Sequence, residues 1–259
     1  MITVSALVST YNAERLLLGR LQNLFATSMW AQGALEVIVL DSGSRQDEAG
    51  VIDTLRQTLT QEANARLVYA RTKREPLYCA WNRALQLARG TYVTNANTDD
   101  RLAPDALSTL VDALSAMHEQ DPRIVGAYGD CLVTSTQNAQ WGQDIVLERS
   151  ANYPEGVQQW ADATPEVLVQ RCTVGNCPVW LKSAHEVAGV FDESYTVAGD
   201  YEMWLRFARH GMRFAKVQRV VGLFYESAVQ LSNIAIDVMR FETLRAIMQH
   251  REAVLQAWT

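Results

Sequence analysis

Thr91-Tyr92-Val93-Thr94-Asn95-Ala96-Asn97-Thr98-Asp99-Asp100 decides how the chain is read, because an apolar β-branched run here ends in carboxylates shortly before Pro104. Carboxylates at the tip of a buried strand repel one another and lose hydration, so they call for a cation or a donor-rich ligand. The stretch predicts a strand whose C-terminal end carries a metal-assisted site. Further along, Gly199-Asp200-Tyr201-Glu202 forms a second acidic cluster and opens a helical pattern, Met203-Trp204-Leu205-Arg206-Phe207-Ala208.

Working outward, strands and helices alternate. Ile2 to Val8 has the β-branched content of a buried strand, and Glu14 to Phe25 places Leu16, Leu17, Leu18, Leu21 and Leu24 at helical spacing. Glu36 to Leu40 predicts a second strand ending at the polar turn Asp41-Ser42-Gly43-Ser44, followed by an amphipathic helix from Val51 to Leu59. A strand over Arg66 to Ala70 and a helix over Tyr78 to Ala88, stopped by Gly90, lead into the opening stretch. This repetition implies a mostly parallel sheet with helices on both faces, and ligands in such sheets bind beyond the carboxyl ends of the strands. Thr10-Tyr11-Asn12, Asp41-Ser42-Gly43 and Asn97 to Asp100 would share that edge.

After Pro104 the pattern gives a helix through Leu107, Leu110, Val111 and Leu114, and a strand near Ile124 to Tyr128. A loop-rich segment from Ser135 to Pro165 reads equally as a lid, an acceptor-binding insertion or a surface excursion. A strand pair over Phe214 to Val217 and Val220 to Tyr225, then a long helix from Ile234 to Trp258, close the chain.

Composition narrows the function. The chain has 259 residues, 48% hydrophobic, enough for a sizeable α/β core. A net charge of -6 with mixed signs provides no basic stripe, which argues against a nucleic-acid partner. Cys79, Cys131, Cys172 and Cys177 read as reduced core thiols, the C-x4-C spacing of the last two lacking nearby histidines for zinc. No signal-peptide pattern or membrane-spanning apolar run is visible, so a cytoplasmic location is expected. The first strand is followed by neither a G-x-G-x-x-G turn nor a lysine-bearing phosphate loop, which disfavours dinucleotide oxidoreductases and nucleotidyltransferases.

Taken in order, several motifs resemble those of family 2 glycosyltransferases of the GT-A fold. They are Val8-Ser9-Thr10-Tyr11-Asn12, Glu36 to Ser44, Tyr78-x-Ala80-x-Asn82 with Ala88-x-Gly90, Asn97 to Asp100 with Pro104, Tyr128-Gly129-Asp130, Gly189-x-Phe191-Asp192-Glu193, and Gly199 to Arg206. The resemblance spans roughly Thr3 to Ser232. It implies a single GT-A domain over 1–232, with a nucleotide-binding half (1–103) and an acceptor-binding half (104–232), followed by a C-terminal helix (233–259).

By the same resemblance, the activity is inverting transfer from a nucleotide diphosphate sugar, UDP-linked, to a saccharide or lipid-linked saccharide in polysaccharide or glycoconjugate assembly. A lipid-linked acceptor would place the enzyme peripherally at the inner face of the membrane. Asp99 matches the ligand of Mg²⁺ or Mn²⁺, and Asp200 the general base. Asp41 matches the residue that receives the nucleobase, Thr10, Tyr11 and Asn12 border base and ribose, and Asn82, Asn97 and Thr98 complete the donor site.

Plainer uses stand beside these roles. Asp99, Asp100 and Asp200 also suit helix caps, Asp41 a turn, Tyr11 a strand-end core position, and Trp180 and Trp204 core packing rather than a sugar platform. Glu202 is the second candidate base. Three departures from the family pattern stand out. Asn97 replaces the first aspartate of a D-x-D motif, no histidine lies near Phe224-Tyr225-Glu226-Ser227, and Asp47 falls one position late after Asp41. The first two give weight to an alternative, a non-catalytic nucleotide-sugar binding module of a larger assembly protein.

Overall fold

Unbroken apolar runs become strands here because both faces of the sheet are covered. A computed structural model describes residues 1–143, 145–153, 155–227 and 230–258; Asp144 and Pro154 of the loop-rich segment, and Thr259 of the expected C-terminal span, lie outside the described residues. The first half runs β1 (Val4–Thr10), α1 (Glu14–Phe25), α2 (Ser28–Ala31), β2 (Leu35–Asp41), α3 (Glu48–Arg56), α4 (Gln61–Asn64), β3 (Leu67–Arg71), α5 (Leu77–Leu87) and β4 (Tyr92–Asn95). The second half runs β5 (Arg101–Leu102), α6 (Ala106–Gln120), β6 (Ile124–Thr134), β7 (Val157–Gln158), α7 (Pro165–Leu168), β8 (Val179–Leu181), α8 (Ala184–Ala188), α9 (Gly199–Arg209), β9 (Arg213–Tyr225), α10 (Leu231–Ile234) and α11 (Ile236–Ala257).

One sheet joins the strands in the order β3-β2-β1-β4-β8-β6-β9-β5, with β7 paired to β6. The longest ladders, β1 with β2 and β6 with β9, are parallel, as are β1 with β4 and β2 with β3. The short strands β5, β7 and β8 pair antiparallel. This is a mostly parallel α/β domain with helices on both faces of its sheet, the architecture that the resemblance implies.

Side-chain alternation sorts the apolar residues into two cores. Ala6 and Val8 of β1 join Val37 and Val39 of β2 and the leucines of α1 and α6 on one face. Leu7, Ile38 and Leu40 point to the other, against Tyr78, Trp81, Trp180, Trp204 and Phe207. Trp180 and Trp204 are buried and meet edge to face at 5.2 Å, so both serve packing rather than an acceptor platform.

The expected C-terminal strand pair is one continuous strand, β9, whose ladder with β6 carries register shifts near Tyr128 to Cys131. Bulging absorbs the irregularity that reads as a break in the sequence. Among the described residues, the 135–165 segment holds only β7 and a bridge from Thr134 to Leu147 before α7, and Asn138 ties it down through Arg101 and the Arg15 carbonyl.

Among the described residues, no helix is long and apolar enough to cross a membrane. α11 instead buries Glu242, Ala246, His250 and Val254, one face at four-residue spacing, and packs on α9.

Candidate active site

Parallel pairing aligns Thr10 at the end of β1 directly with Asp41 at the end of β2, and sets Asn95 of β4 beside Leu7 of β1. The three polar strand ends therefore share one edge, as the sequence implies. Thr10 is buried and its Oγ1 has no hydrogen-bond partner, the same being true of Asn95 Oδ1. Both atoms sit at strand tips where a ligand's polar groups would satisfy them.

The β1–α1 and β2–α3 turns are laced together. Asn12, in the left-handed region at φ 52°, donates its N–H to Ser44 Oγ at 3.0 Å and accepts the Arg45 N–H at 2.7 Å. Glu48 accepts the Ala13 N–H at 2.9 Å. Asp47 accepts the Gly50 N–H at 3.0 Å, so the late acidic residue caps α3. Gly43, at φ 69°, would drive a Cβ into the Arg74 backbone nitrogen, so only glycine fits the turn. Tyr11 is partly exposed, and the Arg74 guanidinium lies 3.8 Å from its ring centroid.

Asp41 is fully buried, and its carboxylate accepts from Ser44 N–H at 2.8 Å and Tyr69 O–H at 2.9 Å, with Arg71 Nε at 3.4 Å. It fixes the shape of the turn. Asn82 is committed likewise: it donates to the Phe191 carbonyl and Glu193 and accepts the Phe191 N–H, all within 3.0 Å. Its amide holds the 189–193 loop rather than standing free for a donor.

In the opening stretch, Asn97, Thr98 and Asp99 are half-buried and Asp100 is buried. Asp100 accepts from Asn97 Nδ2 at 3.3 Å and from the Tyr225 N–H at 3.4 Å, and its carbonyl receives Arg20 and Arg101. The Thr98 carbonyl accepts from Arg101 Nη1 at 2.8 Å. Burial pushes both carboxyls above their ordinary range, more strongly at Asp100, where the Asp99 charge adds to the rise; Arg20 opposes it at both, and Arg101 at Asp99. The two buried arginines were invisible as site residues in the sequence, since Arg20 sits within a leucine-rich helical stripe.

Asp200, on the first turn of α9, accepts on Oδ1 from the Tyr201 N–H at 2.8 Å and from Tyr78 O–H at 3.4 Å. Burial raises its carboxyl above the usual value, and these two donors pull in the opposite direction. Gly199 is required by the aromatic packing: a Cβ there would fall 2.6 Å from the Tyr78 ring. Glu202 is buried and bound by Arg206 Nε at 2.9 Å and His250 Nε2 at 2.9 Å, which consigns it to the core and removes it as a base.

The C-x4-C segment links the two acidic clusters. Cys172 lies close enough to Asp200, and Cys177 to Asp99, for each thiol to feel that carboxylate's charge. Five peptide steps span at most about 17 Å, so one short segment lies near both clusters. His118, His185, His210 and His250 lie on α6, α8, after α9 and on α11. Among the described residues no group of three histidine, cysteine or acidic side chains is placed to hold a metal by itself. Asp99, with Asp100 behind it, instead fits a cation whose remaining ligands are substrate phosphates, the usual arrangement for Mg²⁺.

A mostly parallel sheet with polar strand tips, together with a carboxylate on the first turn of α9, is the arrangement that the resemblance implies. The chain matches the family described as Glycosyl transferase family 2 over residues 5–156, and it belongs to that family. It thus carries the family and fold of a glycosyltransferase enzyme.

Its relatives include chondroitin synthase of Escherichia coli, 26% identical over 68% of this chain and 23% of that protein. A PGL/p-HBAD biosynthesis glycosyltransferase of Mycobacterium bovis (strain BCG / Pasteur 1173P2) is 23% identical over 79% of this chain and 70% of its own length. The chain thus spans under a quarter of the first relative. Two solved structures share the fold. TarS 1–349 of S. aureus in complex with UDP superposes with a TM-score of 0.67 at 15% identity, covering 99% of this chain and 70% of that one. The mannosyltransferase PcManGT of Pyrobaculum calidifontis with GDP-Man and Mn²⁺ gives 0.67 at 22% identity, covering 98% and 68%.

Proposed function

We propose that the enzyme transfers a sugar with inversion from a nucleotide diphosphate donor, UDP-linked, to a hydroxyl of a saccharide or lipid-linked saccharide. The observation that carries this reading is the shared edge of polar strand ends, where Thr10 Oγ1 and Asn95 Oδ1 are buried without partners on the edge that holds Asp41 and leads into Asn97 to Asp100. Complexes of fold neighbours with UDP and with GDP-Man and Mn²⁺ support a nucleotide-sugar donor and a divalent cation.

Asp99 would hold Mg²⁺ or Mn²⁺ through the donor diphosphate, and the cation would neutralise charge developing on the leaving group. Asp200 takes the proton of the acceptor hydroxyl as its oxygen forms a bond to the anomeric carbon and the bond to the diphosphate breaks. Burial suits this role, since a carboxylate raised above its usual pKa is a stronger base. Thr10, with its unpartnered hydroxyl, and Tyr11 line the nucleoside side, while Asn12 and Asp41 act by shaping the turns around it. Asn97 and Thr98 border the diphosphate, and Asn82 contributes through the loop it holds. A lipid-linked acceptor would bring the enzyme to the membrane face.

Thermal-shift measurements with UDP, GDP, dTDP and CDP, with and without Mn²⁺, test the reading. A nucleotide at a hundred times its Kd adds about 2.7 kcal/mol of stability, and a cation-dependent rise in melting temperature with one of them is expected. No shift with any nucleotide would refute the donor site.

A further inference from the structure

The turn that delivers Asp200 is not held by its own segment. α9 begins after Ala198 without a side-chain cap, and the turn that leads into it, residues 196–198, presents three backbone N–H groups that need an acceptor. The acceptor comes from α11. Glu242, 4% exposed, accepts the Thr196 N–H on one carboxylate oxygen at 2.7 Å, and the Val197 and Ala198 N–H groups on the other, both at 2.9 Å. Three converging donors on one buried carboxylate fix the turn in position and orientation.

The effect reaches the reacting group in two steps. The Val197 carbonyl accepts from Tyr78 O–H at 2.7 Å, and the same hydroxyl lies 3.4 Å from Asp200 Oδ1. Tyr78 is itself immobilised, stacked on Phe191 and edge-on to Trp81. Moving the turn therefore moves Tyr78 O–H and the helix start together, and with them the Asp200 carboxylate.

We propose that Glu242 is a positioning residue of the transfer reaction: from the C-terminal helix it holds residues 196–198 so that Asp200 presents its carboxylate to the acceptor hydroxyl. The proposal rests on the assignment of Asp200 as base. It makes α11 part of the catalytic apparatus, although the sequence reads as if the domain ended before it. The titratable groups facing Asp200 are Tyr78 from α5, Cys172 from the segment before β8, and Glu242 from α11. Burial holds Tyr78 and Cys172 neutral, so Glu242 is the charged neighbour and its charge adds to the upward shift of Asp200.

The test compares Glu242→Gln and Glu242→Ala with Asp200→Asn in the full chain, using UDP-GlcNAc and GDP-mannose with Mn²⁺ as probes of nucleotide release. Misplacing a reacting group by about 1 Å costs up to ~100-fold in rate. A tenfold or greater fall in kcat is expected for Glu242→Ala, with donor KM within twofold, and a smaller fall for Glu242→Gln. Carbon-13 NMR titration of the Asp200 carboxyl needs no turnover, and in Glu242→Gln its midpoint should move to lower pH, with faster amide exchange at residues 196–198. If Glu242→Ala does not fold, Glu242→Gln decides. An unchanged Asp200 titration, or kcat and KM changing in parallel, overturns the proposal. Full activity in Asp200→Asn would instead overturn the base assignment, so the two failures are distinct.

Discussion

Gly199→Ala is a small change with a calculable consequence. The added Cβ would sit 2.6 Å from Cε2 of Tyr78 and 2.8 Å from two further ring atoms. Carbon atoms pack at about 3.5–4.0 Å, so ring or helix start must shift by roughly 1 Å. The ring has little room, being buried between Phe191 at 5.7 Å and Trp81 at 5.4 Å and tethered by its hydroxyl to the Val197 carbonyl. Alanine would gain at most about 1 kcal/mol from helix propensity, whereas overpacking of this kind costs about 1–3 kcal/mol. Gly199 is the first residue of the helix, where propensity counts least, so the clash wins, leaving a net loss of up to about 2 kcal/mol. For a chain of this size that corresponds to a fall of up to about 6 °C in melting temperature. The displaced element carries Asp200, so kcat should also drop, by about 10- to 100-fold, while nucleotide affinity holds because the donor side is built from other strands. Circular dichroism melts and steady-state nucleotide release measure both. A variant that melts at or above the wild-type temperature with unchanged turnover would refute the packing argument.

Other substitutions probe separate parts of the account. Glu202→Gln leaves Arg206 and His250 facing a neutral amide in a buried site, a loss of about 3–5 kcal/mol, yet turnover per folded molecule should persist; loss of turnover without loss of stability would restore Glu202 as a candidate base. Burial pushes the Glu202 carboxyl up, but the bonds from His250 and Arg206 outweigh it and hold it below the ordinary glutamate value. Its stabilisation is therefore full above the unfolded value and lost as pH falls through the folded one. Wild-type melting temperature should drop across that acid window more steeply than that of Glu202→Gln, and equal slopes would contradict the pairing. Asn97→Asp replaces a donor to Asp100 with a third carboxylate. It should lower stability without metal and enlarge the stabilisation by Mn²⁺, as read by titration calorimetry; an unchanged Mn²⁺ affinity would place Asn97 outside the cation's reach.

Much of the fold was legible because its signals are local. Apolar runs between polar turns marked β1, β2 and β4, and parallel pairing then forced their polar ends onto one edge. The short strands β5, β7 and β8, two or three residues each, carry no periodicity and exist only through pairing with longer neighbours. The site was legible as residue types but not as partners. Apart from the local bond from Ser44 to Asp41, Asp41 and Asn82 turned out to be held by residues from 28 to 111 positions away in sequence. Arg20, His250 and Glu242 enter through tertiary packing alone. Glu242 had no visible signal beyond a charged residue in register with Ala246, His250 and Val254 on a face that must be buried.

The central claim is that Asp200 performs the proton transfer in a nucleotide-sugar transferase, and Asp200→Asn tests it most directly. Single-turnover release of nucleotide from the donor selected by thermal shift should slow by about 100-fold or more, while calorimetric affinity for the nucleotide stays within threefold. Turnover near the wild-type rate, with affinity intact, would contradict the account.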